Sequence, residues 1–356
     1  MKKKETKKKI LEYVFSILAP GTPLRAAIDR IQEASLGAIV VLGNPADLES
    51  IMRGGFKLNT PYTPQKLYEL SKMDGGIILS EDIETIYGAN IQLQPNSNIK
   101  TDESGTRHQA AHRVAKQTGK LVITVSERRN KITIYKGEFR YTLHDIGDLL
   151  VKSSQAIMAL EKYAVAINRN LINLTVSEFD NMVTLYDIVE VIRMYGLLFR
   201  MSEELIEYIS ELGTEGRLVK IQYQEIMLNQ NEEFTDLIRD YKKNEEKVEK
   251  VIENIRMLNK EELLEDENIA NILGFNLKNI SLDEIINSRG YRILGTVNKV
   301  TKKDIEMLVS EFKEIQSILI ATVEEMTQIK GISKLKAEHI NKALIRLKNR
   351  VMLDRY

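Results

Sequence analysis

Gly37-Ala38-Ile39-Val40-Val41-Leu42-Gly43 is a short apolar run closed at both ends by glycine, the pattern of a strand buried on both faces. Upstream, an amphipathic helix runs to Leu18, and a second helix opens with Thr22 as N-cap and Pro23 at its first position. Downstream, Gly75 to Leu79, Ile86 to Leu93, Leu121 to Val125 and Ile132 to Tyr135 read as further strands. Helices and strands therefore alternate to about residue 145. This predicts an α/β domain with a central mixed sheet flanked by helices.

The rest of the chain is different. From about 147 to 285 prolines vanish and apolar residues recur at helical spacing, as in Met182, Leu185, Ile188, Val189, Ile192 and Tyr195. The prediction is an all-α spacer. Within it the mixed charge run Lys242 to Lys250 reads as the wet face of a long helix. From about 286 short helices separated by turns are expected, with fourteen Lys/Arg against eight Asp/Glu, an excess of +6 that favours a polyanion. The predicted organisation is a multidomain chain divided at 1–146, 147–285 and 286–356.

A length of 356 residues suits two or three cores. No apolar run approaches the roughly 20 residues that span a bilayer, and the segment from Ile10 to Ala19 is interrupted by Glu12 and stopped by Pro20. A soluble protein without membrane contact is expected. The absence of cysteine excludes disulfides, thiolate zinc sites and thiol catalysis, and it fits a reducing cytosol. The chain balances 51 basic against 51 acidic side chains, so any nucleic-acid contact must be a local patch.

Two segments of the first domain carry chemistry. Asp74-Gly75-Gly76 opens a strand where two glycines let the backbone approach a ligand, although Asp-Gly is also a common turn. Ser104-Gly105-Thr106-Arg107-His108 feeds a helix running through Gln117 and ended by Gly119. Its free N-terminal amides and dipole suit an anion, and Arg107 adds a bidentate phosphate donor. An ordinary capped surface helix is the competing account. His108 and His112 stand at i,i+4, but no Glu follows His108 in the metalloprotease arrangement and no third ligand is evident, so zinc is disfavoured. Neither a G-x-x-x-x-G-K-[ST] loop nor a G-x-G-x-x-G turn is present, so a nucleotide site here belongs to another class.

Taken together, Asp74-Gly75-Gly76, Ala89-Asn90 with Leu93 and Pro95, Gly105-Thr106-Arg107-His108, and Val114-Ala115-Lys116-Gln117-Thr118-Gly119 ending in Val125-Ser126 resemble the diadenylate cyclase domain in order and spacing. The later thirds resemble the DNA-integrity scanning diadenylate cyclases. The resemblance implies condensation of two ATP into cyclic di-AMP with loss of two pyrophosphates, by cyclase domains placed face to face in a homo-oligomer, an octamer. It implies that Asp74 binds the catalytic Mg2+ or Mn2+ and helps activate the ribose 3′-hydroxyl. Gly75 and Leu93 would contact the nucleoside, and Gly105, Thr106, Arg107 and His108 the phosphates, with Ser126 close by; Asp74, Arg107 and His108 would be catalytic. It also implies a bacterial, cytoplasmic, nucleoid-associated protein. Two departures stand out. The family's Asp-Gly-Ala reads Asp-Gly-Gly here, and its Arg-His-Arg-Thr reads Arg107-His108-Gln109-Ala110. The second departure keeps open the alternative of a weak or inactive DNA-binding scaffold that holds ATP or cyclic di-AMP.

Near the C-terminus, Met326 to Ile340 resembles the helix-hairpin-helix motif, with Ser333 in place of its second glycine. Lys330, Gly331, Ile332, Ser333, Lys334 and Lys336 would meet a DNA backbone without regard to sequence, and the domain would sense DNA structure or damage and regulate the cyclase. A hairpin used only for packing, with Ile329, Ile332, Leu335, Ala337 and Ile340 as its core, is the competing account.

Overall fold

The computed structural model describes residues 2–353, with side chains for 7–351. They form two compact units: residues up to Ser153 together with Ile206–Lys220, and Ser154–Leu205 together with the residues from Ile221 onward. The first unit opens with α1 (Lys2–Leu18) and α2 (Pro23–Glu33). Thr22 caps α2 as expected, its hydroxyl accepting the Arg25 amide with Pro23 in the first turn. After β1 (Ala38–Leu42) come α3 (Pro45–Leu48), β2 (Met52–Arg53), β3 (Phe56–Pro61), α4 (Pro64–Leu70), β4 (Gly76–Leu79) and β5 (Thr85–Leu93). Then follow α5 (Thr106–Thr118), β6 (Leu121–Val125), β7 (Ile132–Lys136) and β8 (Phe139–Thr142).

These eight strands make one sheet in the order β2-β5-β4-β1-β6-β7-β8, with β3 also paired to β5. The sheet is mixed, as predicted: β1 and β4 are parallel, and every other pairing is antiparallel. Strands β1, β4 and β6 lie inside it, and each is buried along its whole length, which is why their sequences read as unbroken apolar runs. One face packs on α1, α2 and α4 through residues such as Phe15, Ile28, Leu67, Val40 and Ile123. The other packs on α5 through Ala111, Val114 and Ala115 against Ile39, Val41, Ile78, Val122 and Tyr135. The helices thus flank the sheet on both sides.

The second unit is helical. It contains most of α6 (Ile146–Asp180) and α7 (Leu185–Leu212); α8 (Arg217–Met227) is followed by α9 (Gln230–Tyr241), α10 (Val248–Met257), α11 (Lys260–Leu264) and α12 (Asp266–Leu273). The C-terminal helices are α13 (Tyr291–Gly295), α14 (Lys302–Phe312), α15 (Ile315–Ile320), α16 (Val323–Gln328) and α17 (Lys334–Leu353). Phe179 of α6 is buried with Ile293, Leu308, Ile318 and Ile340, so spacer and C-terminal helices share a core. A buried polar knot reinforces it. Asp240 accepts the amides of Gly290, Tyr291 and Arg292 at 2.7, 2.6 and 3.0 Å, capping α13, while Arg292 is paired with Glu178.

Two expectations are corrected. The charge run Lys242 to Lys250 does not ride a continuous helix: α9 ends at Tyr241 and α10 starts at Val248. The chain breaks because Lys243 and Asn244 turn their amides onto the Leu273 carbonyl, and the Asn244 side chain donates to Ile272 O at 2.7 Å. The last helix is also longer than expected, at 20 residues.

Candidate active site

The strand register places the predicted residues at one end of the sheet. Ile39 pairs with Gly76, Gly76 with Ile91, and Ala38 with Val125. The starts of β1 and β4 and the ends of β5 and β6 therefore lie side by side, and with them Gly37, Asp74, Gly75, Leu93 and Ser126. Helix α5 joins them because it runs back across the sheet: its C-terminus turns at Gly119 into Leu121, opposite Leu42, so its N-terminus comes out at the Gly37 end. The Arg107 guanidinium lies over Gly37 so closely that a Cβ there would stand 1.9 Å from Nη1. Sequence alone marked Gly37 only as a strand boundary.

Glycine is required at Gly75. Its φ is +87°, and a Cβ would stand 2.8–2.9 Å from the backbone of Asn90 and Ile91. At Gly76 a Cβ would meet Leu93 Cδ1 at 2.8 Å, so this glycine makes the room that Leu93 occupies. Asp74 is exposed just before β4, and among the described residues its carboxylate makes no ion pair or hydrogen bond. A turn-forming aspartate would have spent that side chain on a neighbouring amide.

Gly105 is the N-cap of α5 and has no side chain to satisfy the first amides, so the helix start is uncapped. Arg107 is half-buried there without a carboxylate partner among the described residues. His108 turns Nδ1 inward, 2.9 Å from Tyr135 Oη and 3.2 Å from Thr124 Oγ1. Burial holds its pKa below the ordinary histidine value, with Arg140, Arg129 and Arg107 pushing the same way and Glu103 opposing. The ring is neutral near pH 7. His112 stacks on Tyr135 with ring centroids 5.2 Å apart, and its Nδ1 meets Thr101 Oγ1 at 2.8 Å. Both histidines thus serve the Tyr135 hub, and the described residues hold no group of three or more metal-ligating side chains. Ser126 is partly spent on the β6–β7 turn, accepting the Arg129 amide at 3.3 Å. That turn brings Arg129 to the site, and β8 brings Arg140, paired with Glu103 at 2.8 Å. Both cations escaped the sequence reading because their strands reach α5 only through the sheet order.

In the C-terminal hairpin, Gly331 sits at φ +110° between α16 and α17, and Ser333 Oγ accepts the Lys336 amide at 3.3 Å. Ile332, Ala337 and Ile340 are buried, whereas Leu335, expected in the core, is 80% exposed. Lys330 and Lys334 are exposed, but Lys336 Nζ lies 2.9 Å from both oxygens of Asp304.

Comparison with known proteins identifies the domain that carries these residues. Residues 25–139 match the family model described as DisA bacterial checkpoint controller nucleotide-binding, and residues 143–282 match the DisA bacterial checkpoint controller linker region. The mixed sheet with an open helix start at one end is thus a nucleotide-binding domain of the diadenylate cyclase class, and the protein is an enzyme of that class. The DNA integrity scanning protein DisA of Clostridioides difficile (strain 630) is 40% identical over 97% of this chain and 97% of its own. That of Clostridium botulinum (strain Eklund 17B) is 41% identical over 95% and 96%, and that of Bacillus cereus (strain B4264) 40% over the whole of both. The chain belongs to the DNA integrity scanning protein DisA family. Diadenylate cyclases take ATP as substrate and depend on a divalent metal. No helix among the described residues is long and apolar enough to cross a membrane.

Proposed function

We propose that this end of the sheet holds one ATP, with Arg107, His108 and the open amides of Gly105 and Thr106 on its phosphates. Gly75 and Leu93 then lie against the nucleoside, with Ser126 beside the phosphates. The observation that carries this is Arg107: a half-buried guanidinium with no carboxylate partner among the described residues, beside an uncapped helix start, is a site prepared for an anion. Asp74 fits a divalent metal, since magnesium or manganese is commonly held by one or two carboxylates plus substrate phosphates. When bound, such an ion neutralises phosphate charge and makes the 3′-hydroxyl more acidic.

In each half-reaction a ribose 3′-oxygen bonds to the α-phosphorus of the other ATP. The bond from that phosphorus to the bridging oxygen breaks, pyrophosphate leaves and the hydroxyl proton passes to solvent. Two such events close the ring. The charge that builds on the α-phosphoryl oxygens meets Arg107 and the α5 amides, which need no rearrangement to receive it. One domain holds one ATP, so two must face each other in a symmetric homo-oligomer, and the resemblance extends this to an octamer.

The functional division follows residues 1–146, 147–285 and 286–356, in a cytoplasmic, nucleoid-associated protein. The last segment binds DNA without sequence preference, through Lys330, Lys334 and the amides from Gly331 to Ser333, and so regulates the cyclase. Lys336 joins them only by leaving Asp304. Incubating the protein with ATP and either metal, then assaying cyclic di-AMP, tests the site. Asp74→Asn should abolish product formation; turnover equal to the wild-type chain under both metals would overturn the metal assignment.

A further inference from the structure

Tyr135 is among the largest fully buried side chains of the described residues, and it sits beneath the helix start rather than in it. Its hydroxyl meets His108 Nδ1 at 2.9 Å and its ring stacks on His112. Burial, with Glu103 next in effect, raises its pKa well above the ordinary tyrosine value, so the hydroxyl keeps its proton throughout the working range. The loop before α5 is tied to the same hub. Gln109 Nε2 donates to Glu103 O at 2.9 Å, Arg113 Nε to Ile99 O at 3.0 Å, and Thr101 meets His112. The second hydroxyl near His108, Thr124 Oγ1 at 3.2 Å from Nδ1, donates its own proton to Thr133 O at 3.2 Å, so towards the ring it can only accept.

We propose that Tyr135 is a positioning residue for the cyclase reaction, fixing the ring of His108 so that Nε2 faces the phosphate; this rests on the assignment of His108 as a phosphate ligand. Tyr135 does not touch ATP. An imidazole free to rotate about χ2 presents either nitrogen or a C–H edge, and only one orientation offers Nε2 while keeping Nδ1 on the protein. Arg107 and the α5 amides still hold the ground-state triphosphate without it. The loss therefore falls on the step in which α-phosphoryl charge grows, and on kcat more than on KM.

Tyr135→Phe keeps the ring stack and removes one oxygen. In the full-length chain, kcat should fall roughly five- to tenfold, the worth of one orienting hydrogen bond, with KM for ATP within about twofold. The thermal midpoint should drop by no more than a few degrees. In a His108→Gln background the same change should cost almost nothing further, because the two residues act as one unit. Unchanged kcat in the single variant, or an undiminished loss on top of an impaired His108→Gln, overturns the role of Tyr135 alone. Full activity in His108→Gln overturns it together with the assignment of His108.

Discussion

Replacing Gly37 with alanine adds one methyl group where the Arg107 guanidinium lies. A Cβ there would stand 1.9 Å from Nη1, and ordinary contact begins at 3.4 Å, so Arg107 must retreat by about 1.5 Å. Hydrogen bonds to phosphate oxygens span only a few tenths of an ångström around 2.9 Å, so that retreat breaks them. A charge-assisted bond contributes roughly 1.5–3 kcal/mol, which predicts a ten- to hundredfold fall in kcat/KM for ATP. The fold should not suffer. The clashing atoms belong to the far end of a flexible side chain, and the backbone at Gly37 is not in the left-handed region. Alanine also costs less unfolded-chain entropy than glycine. The measurement is steady-state production of cyclic di-AMP beside a thermal melt. A Gly37→Ala chain with wild-type kcat/KM refutes the placement of Arg107 on the substrate. A melt lowered by many degrees refutes the claim that the change is local.

Two further predictions concern the second unit. Lys330→Ala with Lys334→Ala should weaken binding to duplexes of any sequence alike and reduce the salt slope of log K by about two, measured by fluorescence anisotropy across a salt series. A sequence-dependent loss would contradict backbone recognition. For Asp240, burial, with Glu178 next in effect, raises the pKa from 3.8 to about 7, so the folded chain holds a proton that the unfolded chain releases. The associated stability is fully present below pH 3.8 and is lost as pH rises towards 7. The stability difference between the wild-type chain and Asp240→Asn, followed by thermal melts, should fall across that interval and level off above it.

The fold was legible wherever burial imposed a pattern. The strands β1, β4, β6 and β7 are apolar because helices cover the sheet there, β5 is buried only in part, and the αL turn at Gly119 and the Thr22 cap are local signals. Strand β3 has no such constraint. Phe56-Lys57-Leu58-Asn59-Thr60-Pro61 is almost wholly exposed, alternates over only its first four residues, turns through positive φ at Asn59 and ends in a proline, so it shows no apolar run and only a short alternation. The break within the charge run from Lys242 is hidden for a related reason: the helix stops because distant carbonyls at Ile272 and Leu273 take amides of Lys243 and Asn244, and no residue within the run announces that. In the site, Asp74 and the α5 start were readable as short motifs. The Gly37–Arg107 contact, the Tyr135 hub and the approach of Arg129 and Arg140 depend on which strands become neighbours.

Gln109 and Ala110, which depart from the family pattern, both have contacts within the domain. Gln109 uses its amide to hold the Glu103 carbonyl, and Glu103 in turn is paired with Arg140. An arginine at 109 would replace the amide that holds this backbone carbonyl. Ala110 packs against the apolar cluster between α5 and the sheet, where a hydroxyl would need a partner. Both positions are therefore engaged with the loop and sheet that support the helix start. Arg107, which lies against Gly37, is retained together with the open α5 amides and the ring of His108, and Arg129 and Arg140 contribute positive charge near that ring. An electrostatic site depends on the field at the phosphate more than on which position supplies each charge. Substituting arginine and threonine at 109 and 110 should accordingly raise the cyclase rate far less than the loss of Arg107 lowers it.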